Sequence, residues 1–267
     1  MAMIRRFVLS MMIAIGCAPA AGATDLPPNR KSPPPPPLSA YNWTGLFAGL
    51  NASYGWGSGG ANLQMPGTVT TDLAPAVSSG ALPTFVALNR SGFIGGGQIG
   101  YNYQISALVL GVEADVDGAR VNGASNIQTD VAAFNPVVIS AGSTLNWLGT
   151  ARARLGITPV DRWLVYATGG LAYGAGHQSY VAASNGEILA SGRTIARAGW
   201  TIGAGLEWAF ADHWSVKAEY LYYNLGSSCE TATPSANELP FMSGHKISNK
   251  FTDTGDVARF GVNYKFF

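Results

Sequence analysis

The sequence predicts an all-β fold, a closed antiparallel up-and-down transmembrane β-barrel of eight strands. Three observations carry that expectation: charge is scarce, charged residues keep to one face of alternating segments, and short and long connections between those segments alternate. Only 12% of residues are charged, while 47% are hydrophobic and 34 are glycine. A soluble domain of that composition is hard to keep dispersed. Beyond the N-terminal stretch there is no run of 18 apolar residues. In hydrocarbon only helices and closed barrels satisfy every backbone N–H and C=O, so the absence of a helical span points to the barrel.

The chain begins as an export signal. Arg5 and Arg6 supply the positive start, Phe7 to Cys17 an apolar run, and Ala21-Gly22-Ala23 a small-residue cleavage site. The run falls short of the ~20 residues that cross a bilayer, which separates it from a membrane anchor. Residues 1–23 are therefore read as a signal peptide and 24–40 as a periplasmic spacer, where Pro33 to Pro37 favour an extended polyproline II segment. Residues 41–267 are read as the barrel. After cleavage Cys229 is the only cysteine, so no internal disulfide can form. Removing Arg5 and Arg6 from 16 basic residues leaves 14 against 15 acidic ones, a formal charge of −1 that offers no footprint for nucleic acid.

Strand candidates lie near 43–56, 92–104, 107–118, 145–158, 162–174, 198–210, 213–225 and 256–267. The joins at Gln104 to Ala107, Thr158 to Asp161 and Ala211 to Asp212 are tight. The remaining connections, roughly 58–90, 119–143, 176–197 and 227–254, are long and rich in Ser, Thr, Asn, Ala and Gly. That is the loop pattern of a transmembrane barrel with brief periplasmic turns, and an even strand count returns both ends to the periplasm.

Side-chain alternation is an independent indication, because a Lys or Arg facing lipid at mid-bilayer costs roughly 2–4 kcal/mol. In the seventh candidate Trp214, Val216, Ala218, Tyr220 and Tyr222 share one face, opposite Ser215, Lys217, Glu219, Leu221 and Tyr223. The sixth sets Trp200, Ile202, Ala204, Leu206, Trp208 and Phe210 against Thr201, Gly203, Gly205 and Glu207. The fourth directs Trp147, Gly149, Ala151, Ala153 and Leu155 outward, with Asn146, Thr150, Arg152 and Arg154 inward. In the third, Leu110, Val112, Ala114 and Val116 oppose Glu113, Asp115 and Asp117, and in the eighth Ala258, Phe260, Val262, Tyr264 and Phe266 alternate with Arg259, Gly261, Asn263 and Lys265. A soluble sandwich would put its charges on the outer face instead. Trp43, Trp56, Trp163, Trp200, Trp208 and Trp214 lie near strand ends, as interfacial girdles do. Gly95-Gly96-Gly97-Gln98-Ile99-Gly100 matches a dinucleotide-binding string, but Ile99, Tyr101 and Tyr103 continue a two-residue period with no helix behind it.

Asn42-Trp43-Thr44-Gly45-Leu46-Phe47-Ala48-Gly49-Leu50-Asn51-Ala52, followed by Tyr54-Gly55-Trp56-Gly57, resembles the alphaproteobacterial outer-membrane immunogenic protein family, porin-like members of the OmpA-type barrel group. The likeness continues at Gly203-Ala204-Gly205-Leu206-Glu207-Trp208, Trp214 to Tyr220, and Arg259 to Phe266, so it covers nearly everything after Tyr41. It implies an eight-stranded barrel in the bacterial outer membrane that supports envelope integrity and displays surface loops, with some relatives called porins. It also implies a C-terminal aromatic signal read by the barrel-assembly machinery. Tyr264, Phe266 and Phe267 fit that signal, and either phenylalanine can serve as its terminus. No peptidoglycan-binding domain of the OmpA type is expected after the barrel.

The inward charges are the candidate site: Glu113, Asp115, Glu207 and Glu219 against Arg152, Arg154, Lys217 and Arg259. An eight-stranded barrel has room inside only for side chains, so these groups are expected to pair as a lumen network. Strand adjacency suggests Glu113 or Asp115 with Arg152 or Arg154, Glu207 with Lys217, and Glu219 with Arg259. The alternative is that the same charges line a narrow path for ions or small solutes. A lipid-modifying enzyme with catalytic groups at the rim is the distant third reading; His177, His213 and His245 are the histidines open to it, with His177 and His245 on outer loops, and no Ser or carboxylate is spaced to complete a triad. The preferred reading is non-catalytic, with no cofactor and no metal. Outer-membrane lipid and lipopolysaccharide are the expected surroundings, an extracellular ligand of the loops is open beside plain solvated surface, and an oligomer contact would use the same apolar face as lipid.

Overall fold

A computed structural model describes residues 41–64, 78–80, 83, 85–130, 136–184, 187–232 and 247–266. The expected signal segment, the Pro-rich spacer, His245 and Phe267 lie outside the described residues. Among the described residues eight strands form a closed ring: β1 (Gly45–Gln64), β2 (Phe85–Ile105), β3 (Leu108–Thr129), β4 (Val137–Val160), β5 (Trp163–Ser184), β6 (Glu187–Ala209), β7 (Trp214–Ala232) and β8 (Ile247–Lys265). Each pairs antiparallel with its chain neighbours, and β1 meets β8 from Phe47↔Lys265 to Gln64↔Ser248. Up to the level where the β2–β3 and β6–β7 ladders end, at Ser91↔Asn122 and Trp200↔Asn224, closure leaves no sheet edge, the condition that hydrocarbon imposes on a β structure. No described helix is long and apolar enough to cross a membrane.

The tight joins are where the sequence put them. Ser106-Ala107 links β2 to β3, Asp161-Arg162 links β4 to β5, and residues 210–213 link β6 to β7. Ser106 and Arg162 hold φ of 56° and 66°, the left-handed region that a two-residue reversal demands. The Thr158 N–H donates to the Ala107 carbonyl at 2.9 Å, tying one turn to the next strand.

The strands are longer than their sequence pattern announces, running to 24 residues in β4. At ~3.3 Å per residue and a tilt near 40°, 22 residues rise about 55 Å, roughly twice the ~25 Å apolar band of an outer-membrane barrel. Most of the stretches expected as outer loops are therefore strand. Residues 176–197 are the extreme case, because β5 and β6 stay paired as far as Ser184↔Glu187. The outward positions of these extensions are mostly polar since they have no lipid to face, yet most of their ladders persist; those between β2 and β3 and between β6 and β7 stop at Ser91↔Asn122 and Trp200↔Asn224.

The outer face separates the two halves. On β6 Trp200 and Trp208 are exposed, with only Ile202, Ala204 and Leu206 on that face between them. Similar pairs recur on β7 (Trp214, Tyr222) and β5 (Trp163, Tyr173), and eight to ten residues span about 20–25 Å at this tilt. Between these rings no outward side chain is charged; Arg120 and Asp256 lie at or above the outer one, Asp256 accepting a hydrogen bond from the Tyr220 hydroxyl at 2.5 Å. Trp56, Trp163, Trp200, Trp208 and Trp214 occupy the rings as expected, but Trp43 does not. It is 3% exposed and packed inside the periplasmic mouth, because it precedes the wall rather than forming it. Asn146, expected inward, is exposed. It is an extra residue in β4, where the register slips between Leu145 and Trp147, so Leu145 and Leu148 both stay inside. Gly95–Gly100 form part of β2, and there a side chain at Gly100 would collide with the ring of Phe47.

Two substitutions on β3 test where the barrel leaves the lipid. Val112→Arg, within the apolar band, is expected to cost about 2–4 kcal/mol of folding stability in lipid vesicles, whereas Asn126→Arg, also outward but beyond the ring, is expected to cost about 0–1. Urea unfolding of the refolded variants measures both; equal penalties would place Asn126 in the membrane.

Candidate functional site

The inward residues of the eight strands stack in layers. Nearest the periplasm, Tyr41, Trp43, Val109, Leu164, Tyr166 and Ala209 form an apolar plug. The segment before β1 is held there by the N–H groups of Tyr41 and Trp43, which donate to Asp161 Oδ1 and Gln104 Oε1, each at 2.7 Å. Lys265 Nζ lies 4.3 Å from the centre of the Tyr41 ring. Burial pushes the Tyr41 phenol up to about 12, so it stays neutral.

Above the plug is the charged layer. β3 supplies Glu113, Asp115 and Asp117, β4 supplies Arg152 and Arg154, β6 supplies Glu207, β7 supplies Lys217 and Glu219, and β8 supplies Arg259. Every one of these is at most 5% exposed. Arg152 bridges Glu113 at 2.6 Å and Asp115 at 3.0 Å with one nitrogen. Its other terminal nitrogen is 2.9 Å from Glu219, an ion pair whose angle falls short of a hydrogen bond. Lys217 donates to Glu113 at 2.6 Å, across the lumen. Arg259 grips Asp115 at 2.9 Å and Asp117 at 2.6 Å, and Asn51 donates to the second oxygen of Asp117 at 2.9 Å. Arg154 donates to Glu207 at 2.7 Å, with its guanidinium 3.8 Å from the centre of the Tyr166 ring. Ser215 and Asn263 complete Glu207 at 2.6 and 2.8 Å. Removing such charges from water is costly, and multiple short contacts per carboxylate are what offset it.

All eight charges expected from the sequence fall in this layer, and Arg152 pairs with Glu113 and Asp115 as strand adjacency suggests, but the other two expected sets do not form as ladder pairs. Glu207 and Lys217 are ladder partners, yet Glu207 pairs with Arg154 and Lys217 with Glu113. Glu219 and Arg259 are ladder partners too and approach only to 4.0 Å. Long side chains in a narrow lumen reach across it, so the opposite wall competes with the neighbouring strand. Asp117 was missing from the selected set, although it continues the inward parity of Glu113 and Asp115; with it the layer has five carboxylates to four cations.

The lumen is not ionic throughout. Ile94, Val121, Leu145, Leu148, Leu221, Tyr223, Leu225 and Val257 form a second apolar layer. Beyond it lies a smaller polar group that the sequence reading assigned to loops. Arg90 meets Asp253 at 2.6 Å and Ser143 at 3.3 Å, and Arg197 lies 3.5 Å from Asp253. Extending the inward parity of β2 and β8 past their apolar stretches finds Arg90 and Asp253: Arg90 is in step with Ile94 and Gln98, Asp253 with Val257 and Arg259.

His177 is on the outward face of β5 rather than in a loop, 3.4 Å from Thr194 Oγ1, and His213 is in the β6–β7 turn, 2.8 Å from the Lys265 carbonyl. Tyr264 and Phe266 lie at the periplasmic ring, their centroids 5.3 Å apart, with Trp214 5.1 Å from Tyr264. Among the described residues no three His, Cys, Asp or Glu side chains gather as a metal site.

Residues 14–266 match the family described as outer membrane protein beta-barrel domain. The chain is 31% identical over 261 residues to the 31 kDa outer-membrane immunogenic protein of Brucella melitensis biotype 1, covering 97% of this chain and 99% of that one, and equally to its counterpart in Brucella suis biovar 1. Among solved structures, the outer membrane protein OprG from Pseudomonas aeruginosa is 9% identical with a TM-score of 0.43, covering 85% of this chain and 98% of that one.

The excess of carboxylates predicts unequal penalties within the charged layer. Asp115→Asn leaves Arg152 and Arg259 short of a shared counter-charge, and its expected cost is about 3–5 kcal/mol. Asp117→Asn removes only the surplus charge and is expected to cost about 1 kcal/mol or less. Urea midpoints of the two refolded variants compare them, and a larger loss for Asp117→Asn would show that the layer is not limited by its cations.

Proposed function

The chain belongs to the outer membrane protein β-barrel domain family, and from that premise we propose that it is a non-catalytic, non-conducting barrel of the bacterial outer membrane that contributes to envelope integrity. Its residues 1–23 direct export, and Tyr264 with Phe266 or Phe267 offers the aromatic terminus to the barrel-assembly machinery. The outer halves of the strands, with the segments that join them, form the surface it presents outside the cell.

The observation that carries the closed-lumen reading is the charged layer. Arg152, Asp115 and Arg259 side chains are 0% exposed and Asp115 pairs with both cations, which supports a lumen closed at that level. The apolar layers on either side add a second obstacle, because an ion entering them would lose its hydration without a counter-charge. A small eight-stranded barrel filled by its own side chains fits a structural role better than a transport role.

Planar-bilayer recording tests this. The refolded protein is expected to give no reproducible conductance steps, whereas Arg152→Ala, which opens the centre of the layer and leaves Glu113 and Glu219 short of a partner, is expected to give intermittent ones. Steady conductance from the unaltered protein, changed in size by Arg152→Ala, would establish the narrow-channel alternative in its place.

A further inference from the structure

Just above the outer aromatic ring, both β3 and β4 carry irregularities at one level: the β3–β4 register slips between Gly118 and Val121, and Asn146 is extra in β4. Bulges of this kind re-aim side chains and concentrate beside functional surfaces. Immediately above them the register aligns two rows on the outward wall, Asn122–Thr144–His177 and Ala124–Gly142–Ser179, across β3, β4 and β5. The small residues at Ala124 and Gly142 leave a groove of about 290 Å³ between the longer ones. A side chain added at Gly142 would point at Ser179 Oγ, 2.7 Å from its Cβ, and fill that space.

Below the groove stands a cation. Arg120 is two residues before Asn122 on the same outward face, about 7 Å along the strand. It is exposed and has neither ion-pair nor hydrogen-bond partner among the described residues. Its ladder neighbour is Phe93, and the Trp147–Tyr173 pair, with centroids 5.8 Å apart, continues the ring beside it. Such aromatic rings sit at headgroup level, so Arg120 lies among headgroups and the groove about one sugar further out.

We propose that Arg120 and the groove of Asn122, Thr144, His177 and Ser179 bind the phosphorylated sugar headgroup of an outer-leaflet glycolipid. The guanidinium takes the phosphate, through charge-assisted hydrogen bonds of the strongest class available to a side chain. The amide, hydroxyl and imidazole groups offer both donors and acceptors to ring hydroxyls, and the glycine gives the sugar ring room against the wall. The neutral wall above a single cation distinguishes this ligand from a simple anionic phospholipid, which would use the charge and leave the groove empty. The inference rests on placement in the outer membrane and not on the closed lumen, so bilayer conductance and lipid retention can fail separately.

The test is native mass spectrometry of the full chain, refolded and released from phosphatidylcholine vesicles. The vesicles contain a bis-phosphorylated acylated glucosamine disaccharide, its dephosphorylated form, or phosphatidylglycerol. The expected result is preferential retention of the bis-phosphorylated glycolipid, weakened about tenfold in Arg120→Ala, the loss of one charge-assisted contact pair. Gly142→Leu is expected to reduce retention while leaving phosphatidylglycerol unaffected. Lys250→Ala, which removes a positive charge from β8, controls for overall charge and folding and should match the unaltered protein. Retention equal for phosphorylated and dephosphorylated forms, or equal for glycolipid and phosphatidylglycerol, would overturn the proposal. So would tight binding of the free, non-acylated disaccharide bisphosphate, which would make the site one for a soluble ligand.

Discussion

The structure depends on one constraint, that no backbone polar group can face hydrocarbon unpaired. Pairing β1 with β8 meets it by removing both edges of the sheet at the level of the lipid, and the rest follows from closure. A closed ring has an inside and an outside, and strict alternation assigns every second residue to each. In this chain the outside of the lower half is aliphatic or aromatic, while the inside receives the charges that lipid would reject. The same alternation continues above the membrane, where the outside turns polar because water and headgroups replace acyl chains.

Filling the inside is a separate problem. Eight strands enclose a space scarcely larger than side chains need, and the inward side chains of this protein are arranged in layers instead of as one uniform lining. The apolar layers on either side lower the polarity around the charged one, which strengthens each ion pair and raises the cost of any unpaired member. That arrangement explains why contacts are shared: Glu113 serves Arg152 and Lys217, and Asp115 serves Arg152 and Arg259, so no cation relies on a single carboxylate alone in the centre of the layer. Glycine makes the dense filling feasible where a bulky neighbour needs the space, as Gly205 does beneath the ring of Tyr166.

The two ends of the barrel are finished differently. At the periplasmic end, tight turns and the segment carrying Tyr41 and Trp43 finish the mouth with apolar packing and short hydrogen bonds. At the outer end the wall itself is extended, carrying a polar exterior and the Arg90–Asp253 pair within. Matching bulges in β3 and β4 mark the transition between membrane and exterior on that side, where the wall's requirements change from greasy to polar.

Strand number, direction, turn positions and the inward set from Glu113 to Arg259 were legible in the sequence, because each depends on local parity, and parity is written residue by residue. Loop-like composition hid the upper halves of the strands. Outward residues there, such as Asn126, Gln128, Thr144 and His177, are mostly polar, so no apolar outer face distinguishes a solvated strand from a solvated loop; only the ladder formed with the neighbouring chain segment does. Arg90 and Asp253 went unseen for the same reason, and Trp43 was misplaced because its burial depends on where the segment before β1 folds. Ion-pair identity was also beyond local pattern: the register set Glu207 opposite Lys217, but the width of the lumen let Arg154 and Glu113 reach them first. The sequence by itself determined which face each residue takes. Only the closed tertiary structure decided how far the wall extends and which charges meet, since both depend on distances across the barrel that no single strand contains.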